Sequence, residues 1–271
     1  MACDPRAVRG FEHAGWQHAA AHYTATFAQA TRGFVDALLD AARVGAGTRV
    51  LDLACGPGPV ASGAAERGAL PVGLDFSSAM IALARADHPG IRFEVGDAEV
   101  LPFADEVFDA VVANFGIHHV AEPNRALAEA RRVLRPRGRV AFTSWAAPAE
   151  NIAWRLLFDA ISAHGDLKAA DTPPPGGSLR SPEDLLSALD AAGFTETEAR
   201  RVHGAWRFAA ARDLLEGFRR GTVRTAALID AQPVAALPAI EGAVACGVAA
   251  YRDANGFAVP IVAILASGVR L

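Results

Sequence analysis

Acidic residues stand at or next to the ends of three successive apolar runs: Asp52 in Val50-Leu51-Asp52-Leu53, Asp75 after Gly73-Leu74, and Asp97 after Val95-Gly96. In an open α/β sheet the ends of neighbouring strands surround one crevice, and that crevice is where ligands bind. An acid after the second strand can accept hydrogen bonds from both ribose hydroxyls of an adenosine. One after the third can accept from an adenine amino group. Between the first two acids runs Ala54-Cys55-Gly56-Pro57-Gly58, whose glycines let the backbone turn sharply beside a ligand.

The charge of that loop selects among adenosyl cofactors. Gly56-Pro57-Gly58-Pro59-Val60-Ala61 also fits a relaxed dinucleotide pattern. A pyrophosphate, however, needs amide donors at the helix start, and Pro57 and Pro59 each remove one. Asp52 would add a negative charge close to the phosphates. S-adenosylmethionine brings an ammonium and a sulfonium, which the same carboxylate favours. A nicotinamide-dependent oxidoreductase is therefore the disfavoured alternative, and a protein that binds S-adenosylmethionine without turnover is a third reading.

The elements needed to hold these acids follow from periodicity. Apolar spacing of helical period from Gly15 to Val44 predicts two N-terminal helices. Strands are expected at Thr48 to Leu53, Leu70 to Leu74, Ile91 to Val95, Phe108 to Ala113 and Arg139 to Thr143. A helix capped by Ser77 or Ser78 and another from Pro123 to Leu134 lie between them, with Gly138 expected to separate the latter from its strand. This alternation argues for a doubly wound, mostly parallel sheet. Beyond Trp145 come a helix at Asn151 to His164 and a loop rich in proline and glycine, Asp171 to Leu179. A helix begins at Ser181-Pro182-Glu183-Asp184 and stops at Gly193. A strand near Glu196 to His203, helices between Ala210 and Tyr251, and a last strand near Phe257 to Ser267 follow.

Composition sets the broader bounds. The chain has 271 residues, 52% hydrophobic and 21% charged, with a formal net charge of -4, in the range of a globular enzyme. That balance offers no general attraction to nucleic acid or anionic membrane. Arg219, Arg220 and Arg224 form a local basic cluster, read as a solvated helix face. Cys3, Cys55 and Cys246 are too dispersed for a disulfide framework or a metal site, which suits a reducing cytoplasm. No signal-type apolar stretch follows Met1, and the apolar run Phe257 to Ala266 is too short to span a bilayer. The expected protein is cytoplasmic, needs no metal, and takes a small molecule as its partner. Its oligomeric state is not legible here.

Four stretches resemble the class I S-adenosylmethionine-dependent methyltransferases of the type 11 group, which includes ubiquinone and menaquinone C-methyltransferases. They are Val50 to Gly58, Gly73 to Met80, Gly96 to Phe103 and Phe108 to His119. The resemblance implies a Rossmann-like α/β fold with a seven-stranded sheet whose last strand is antiparallel. It also implies one domain over residues 1–271: N-terminal helices in 1–47, a cofactor-binding core in 48–145, and substrate-cap elements with the final strands in 146–271. Carried over by position, Asp52, Gly56 and Gly58 would surround the methionine moiety, with Ala54 of the same loop counted among the cofactor-binding residues. Asp75 would hold the ribose, Phe76 and Met80 would flank the adenine, and Asp97 and Ala98 would meet its edge. Asn114 would close the pocket under the sulfonium, and Tyr23 would cover the cofactor from the N-terminal helix.

Methyl transfer from a sulfonium needs alignment and exclusion of water more than a dedicated catalytic group. Where the acceptor must lose a proton, His118 and His119 follow the fourth strand, and His119 is the better candidate base. The apolar segments after the fifth strand, with Trp145, Trp154, Leu157, Phe158, Trp206, Phe208, Leu214, Leu215 and Phe218, are expected to cap a hydrophobic or aromatic acceptor.

Overall fold

The computed structural model describes residues 4–177 and 179–271. Cys3 and the first residues lie outside this set, as does Ser178 in the proline- and glycine-rich loop.

Three helices, not two, open the chain: α1 (Pro5–Tyr23), α2 (Ala28–Arg32) and α3 (Val35–Ala41). Asp4 caps α1 by accepting from the Arg6 amide, and Pro5 takes the first helical position. The early turns escape an apolar-period reading because their inward positions include charged ones. Glu12 is fully buried beside Val8 on the inner face.

The core then alternates: β1 (Arg49–Leu53), α4 (Pro59–Glu66), β2 (Leu70–Asp75), α5 (Ser78–Asp87), β3 (Arg92–Val95), β4 (Phe108–Asn114), α6 (Pro123–Val133) and β5 (Leu134–Trp145). Gly138 lies inside β5, contrary to the expected break. The pairing with β4 slips there, from Phe108 opposite Leu134 to Ala110 opposite Arg139. A side chain at Gly138 would meet the Arg135 carbonyl at 2.8 Å, so the glycine serves the bulge.

Helices α7 (Ile152–His164) and α8 (Pro182–Ala191) come next. Ser181 and Asp184 form a reciprocal capping box on α8, the helix start read from the sequence. The chain finishes with β6 (Thr195–Phe208), α9 (Asp213–Gly221), α10 (Arg224–Asp230), α11 (Leu237–Val248), β7 (Arg252–Asp253) and β8 (Gly256–Val269).

Among the described residues the strands form one sheet in the order β3-β2-β1-β4-β5-β8-β6, with the two-residue β7 paired to β8 outside this path. β8 runs antiparallel to its neighbours β5 and β6, and the pairs from β3 through β5 are parallel. The fold is the Rossmann-like, mostly parallel α/β architecture expected. Strand order reverses between β1 and β4, which opens a crevice at their carboxyl ends.

Alternate residues of the buried strands face opposite layers. Val50, Ala110 and Val112 pack on α3 and α4. Leu51, Leu53, Val111 and Phe142 pack on α6 and α8. A separate apolar cluster joins Phe27, α7, α9, α11 and the far ends of β6 and β8 into a helical cap. It contains Leu157, Trp206, Leu214 and Phe218, with Phe208 and Leu215 packed against it. These residues are cap core, because stacking helices on the sheet end requires an apolar interior of its own. Trp145, Trp154 and Phe158 reach a cavity.

Candidate active site

The crevice at the strand switch holds a cavity of about 750 Å³, counting its mouth. Tyr23, Ala54, Gly56, Asp75, Phe76 and Met80 line it, and so do Asp97, Ala98, Asn114 and His119. Asp52 and Gly58 do not. Asp52 lies beneath the floor, its Oδ2 accepting from the Ala61 amide at 3.1 Å in the first turn of α4. Gly58 turns away at a φ of 88°. A side chain there would meet Phe93 at 2.8 Å, so it is a turn and packing glycine.

Asp75 ties the floor together. Its Oδ2 accepts from the Gly56 amide at 2.9 Å and its Oδ1 from the Ser77 amide at 2.8 Å. Burial pushes its carboxyl up to about 6, against the downward pull of those two amides. Asp52 is raised well above the carboxylate range, chiefly by burial and further by the charge of Asp75. Burial, and then the same two acids, push the Cys55 thiol up, so it is an inert packing residue.

Backbone strain gathers where β1 and β4 end. Ala54 and Phe115 adopt φ of 52° and 58°, a region that costs a non-glycine residue about 1–3 kcal/mol. Gly116 makes the close approach of the two strand ends feasible, since a Cβ on it would sit 2.5 Å from that of Ala54. Asn114 is held at both ends of its amide, donating to the Thr31 carbonyl at 3.1 Å and accepting from Thr143 Oγ1 at 2.7 Å.

The roof is α1, which supplies Arg9, Trp16 and Tyr23 to the lining. Gln17 fastens it to the start of α5: Ser77 Oγ and the Ala79 amide donate to Oε1 at 2.6 and 2.8 Å, and Nε2 donates to Ser78 Oγ. Tyr23 stands edge-on to Trp16 with 5.8 Å between ring centres. Arg9 pairs with Asp97 at 3.1 Å and also with Glu99. Asp97 additionally accepts from the Glu99 amide, so its carboxylate is largely engaged inside the protein. Arg9, Glu12, Trp16 and Gln17 have no strand-end position or glycine motif to mark them. Their only sequence signal is helical spacing with Tyr23.

A second cavity adjoins the first, sharing Trp16 and His119 in its lining. Phe27, Trp145, Trp154 and Phe158 supply aromatic walls, and Thr172, Pro175, Gly177 and Leu179 bring in the proline- and glycine-rich loop. Phe115, which lines the first cavity, stacks on Trp145, which lines the second, at 3.8 Å between ring centres.

The two histidines part company here. His119 Nδ1 lies 3.0 Å from Oε2 of the fully buried Glu12. The other Glu12 oxygen faces Arg224 Nε at 2.6 Å. Burial alone would raise the Glu12 carboxyl, but the charges and hydrogen bonds of His119 and Arg224 prevail and hold it below its usual range. His118 lies opposite Ser144 Oγ at 3.5 Å. Burial, and then the charges of His119, Arg180 and Arg224, depress its pKa well below the usual value. Arg224 is therefore not part of a solvated face. Arg219 and Arg220 fit that description, pairing at the surface with Asp230 and Glu216.

The first cavity suits S-adenosylmethionine by charge and shape. Three carboxylates, Asp75, Asp97 and Glu99, line it against Arg9. Beneath them Asp52 Oδ1 is buried and has no hydrogen-bond partner among the described residues. Net negative charge beside an open glycine turn favours a ligand that carries an ammonium and a sulfonium. Among the described residues no group of three His, Cys, Asp or Glu side chains could hold a metal ion. No described helix is long and apolar enough to cross a membrane.

Comparison with known proteins agrees with this geometry. A family model described as "Methyltransferase domain" matches residues 51–142. The demethylmenaquinone methyltransferase of Paenarthrobacter aurescens is 40% identical over 128 residues, covering 47% of this chain and 50% of the relative. That of Thermus thermophilus is 37% identical over 163 residues, covering 54% and 74%. The chain spans about half the length of the first such relatives it matches. Among solved structures, the YcgJ protein of Bacillus subtilis superposes with a TM-score of 0.58 at 19% identity, over 88% of this chain and 98% of that one, a likeness of fold. Strand order and acid-lined crevice define a Rossmann-like adenosyl-binding fold. The chain belongs to the class I S-adenosylmethionine-dependent methyltransferases, in their type 11 group.

Proposed function

We propose that this protein transfers a methyl group from S-adenosylmethionine to a small hydrophobic or aromatic acceptor, as one functional unit in which α1, the core and the cap each contribute. The observation that carries the reading is the pair of adjoining cavities, one acidic and one aromatic, with Trp16 and His119 common to both. The relatives' name supports a flat, largely apolar acceptor, since demethylmenaquinone is a quinone. A nicotinamide dinucleotide fits poorly: at the α4 start Pro59 lacks an amide donor and the Ala61 amide already serves Asp52.

S-adenosylmethionine supplies a methyl group already activated by positive sulfur, so that in-line attack by an acceptor lone pair forms the new bond as the carbon–sulfur pair returns to sulfur. The chain's own residues bind, align and keep water out. Asp75 would accept from the ribose hydroxyls, with Phe76 and Met80 against the adenine and Ala98 and Asp97 at its edge. Ala54, Gly56 and Asn114 would shape the methionine end, with Asp52 acting from beneath and Gly58 holding the turn. Tyr23, Trp16 and Phe115 would keep the reacting centre dry, worth several kcal/mol of the barrier together with alignment.

For an acceptor that must lose a proton, His119 is the proposed base. With Nδ1 donating to Glu12, the neutral ring keeps Nε2 as the acceptor, so Glu12 positions the base and sets its tautomer.

Calorimetric titration with S-adenosylhomocysteine, S-adenosylmethionine and NAD tests the reading. Micromolar binding of the adenosyl compounds alone, weakened by Asp75→Ala, is expected. NAD binding, or none at all, would overturn it. His119→Ala should lower turnover roughly a hundredfold while leaving S-adenosylhomocysteine affinity nearly intact. Unchanged turnover would remove His119 from the mechanism.

A further inference from the structure

The two adjoining cavities differ in sign. The first is lined by three acids and Arg9. The second carries Arg180 and Arg224, and among the described residues no acidic side chain lines it. Glu12, behind the wall, is shared between His119 and Arg224.

Arg224 is only partly satisfied by the protein. Its Nε faces Glu12, its Nη1 donates to the Pro173 carbonyl at 2.6 Å, and Phe11 lies 5.4 Å beneath the guanidinium. Its Nε, despite the ion pair, and its Nη2 are both buried with no hydrogen-bond partner among the described residues. A buried guanidinium N–H left unpaired is costly, and a carboxylate is the partner its geometry suits best. Arg180 stands at the exposed rim of the same cavity. The depressed pKa of His118 reflects the same excess of positive charge, after burial.

Resting on the methyl-transfer reading, we propose that the acceptor is an aromatic acid, its ring seated among Trp16, Trp145, Trp154 and Phe158 and its carboxylate held by Arg224 with help from Arg180. Aromatic walls favour a flat ring by offset and edge contacts. The cationic side fixes which end of the ring faces the shared boundary at His119, and so which atom meets the donor. A neutral quinone carbonyl could accept from Arg224 but would bring no negative charge to a cavity lined by Arg180 and Arg224 and by no acidic side chain among the described residues, which distinguishes this chain's proposed preference from what the relatives' name suggests.

The test is calorimetric titration of the S-adenosylhomocysteine-saturated protein with 2-naphthoate and with 2-naphthamide, alike in shape and different in charge. The acid should bind roughly tenfold or more tightly than the amide. Arg224→Met should abolish the preference. Arg180→Met, which leaves the Glu12 pair intact and provides the answer if the first variant does not fold, should narrow it about threefold. Equal binding, tighter binding of the amide, binding of neither, or a preference unmoved by the substitutions would overturn the proposal. Titration with S-adenosylhomocysteine beforehand separates the two readings. Failure there sinks the methyltransferase assignment, whereas success followed by indifference to the carboxylate sinks the aromatic acid alone.

Discussion

Asp75 serves two ends that pull its proton in opposite directions. Burial favours the neutral acid and brings its pKa to about 6, whereas in the proposed role ribose hydroxyl donors would favour the carboxylate. Its folded pKa lies above the ordinary value of about 3.9, so its contribution to stability is full below that value and is lost as pH rises through 6. The loss is on the order of 2–3 kcal/mol by linkage. Ligand affinity should move the other way: S-adenosylhomocysteine should bind up to roughly tenfold more tightly at pH 7 than at pH 5. Calorimetry across that window, compared with Asp75→Asn, checks both signs, and the variant should lack both dependences. The three aspartates were legible because each follows an apolar run. Their engagements were not: that Asp52 lies under the floor and Asp97 faces Arg9 depends on α1 and α4, which periodicity does not orient.

Elements explain what was hidden. A helix that roofs a polar site turns charged residues inward, and α1 does so with Arg9 and Glu12, erasing the apolar stripe that would have announced its first turns. The edge strand β3, with Arg92 and Val95 exposed, offered only Ile91, Phe93 and Val95 as a signal; among the inner strands, β1 and β4 were legible because parallel strands buried on both faces read as continuous apolar runs. The exception is β5, where a helix passes directly into a strand and the bulge glycine, Gly138, mimics a break. At the β1 and β4 ends a glycine matters through space alone. Gly116 has an ordinary φ of -96°, yet a methyl group there would collide with Ala54 Cβ at 2.5 Å and crowd the Leu53 carbonyl. Gly116→Ala should therefore cost about 1–3 kcal/mol and weaken S-adenosylhomocysteine binding at least tenfold. Thermal unfolding and calorimetry would check it; a fully bound, fully stable variant would show that the strand ends spread freely.

Across the whole molecule, a sheet built from the middle of the chain is completed as a site by its first helix and its cap. Trp16, Trp145 and Trp154 line the second cavity, and the fourth tryptophan, Trp206, lies in the cap core. The first cavity lies under α1, held by Gln17 on α5 and by the Glu12 pairs. If the occupant leaves on the α1 side, its release would need the roof to lift, a local undocking event and not a chemical one. Gln17→Ala should speed S-adenosylhomocysteine release roughly fivefold or more with little change in Tm, measured by stopped-flow displacement. Under the proposed methyl transfer, a release step of this kind would tie the pace of turnover to a helix: thickening the solvent with sucrose should then slow turnover of the wild type, and should slow the Gln17 variant less.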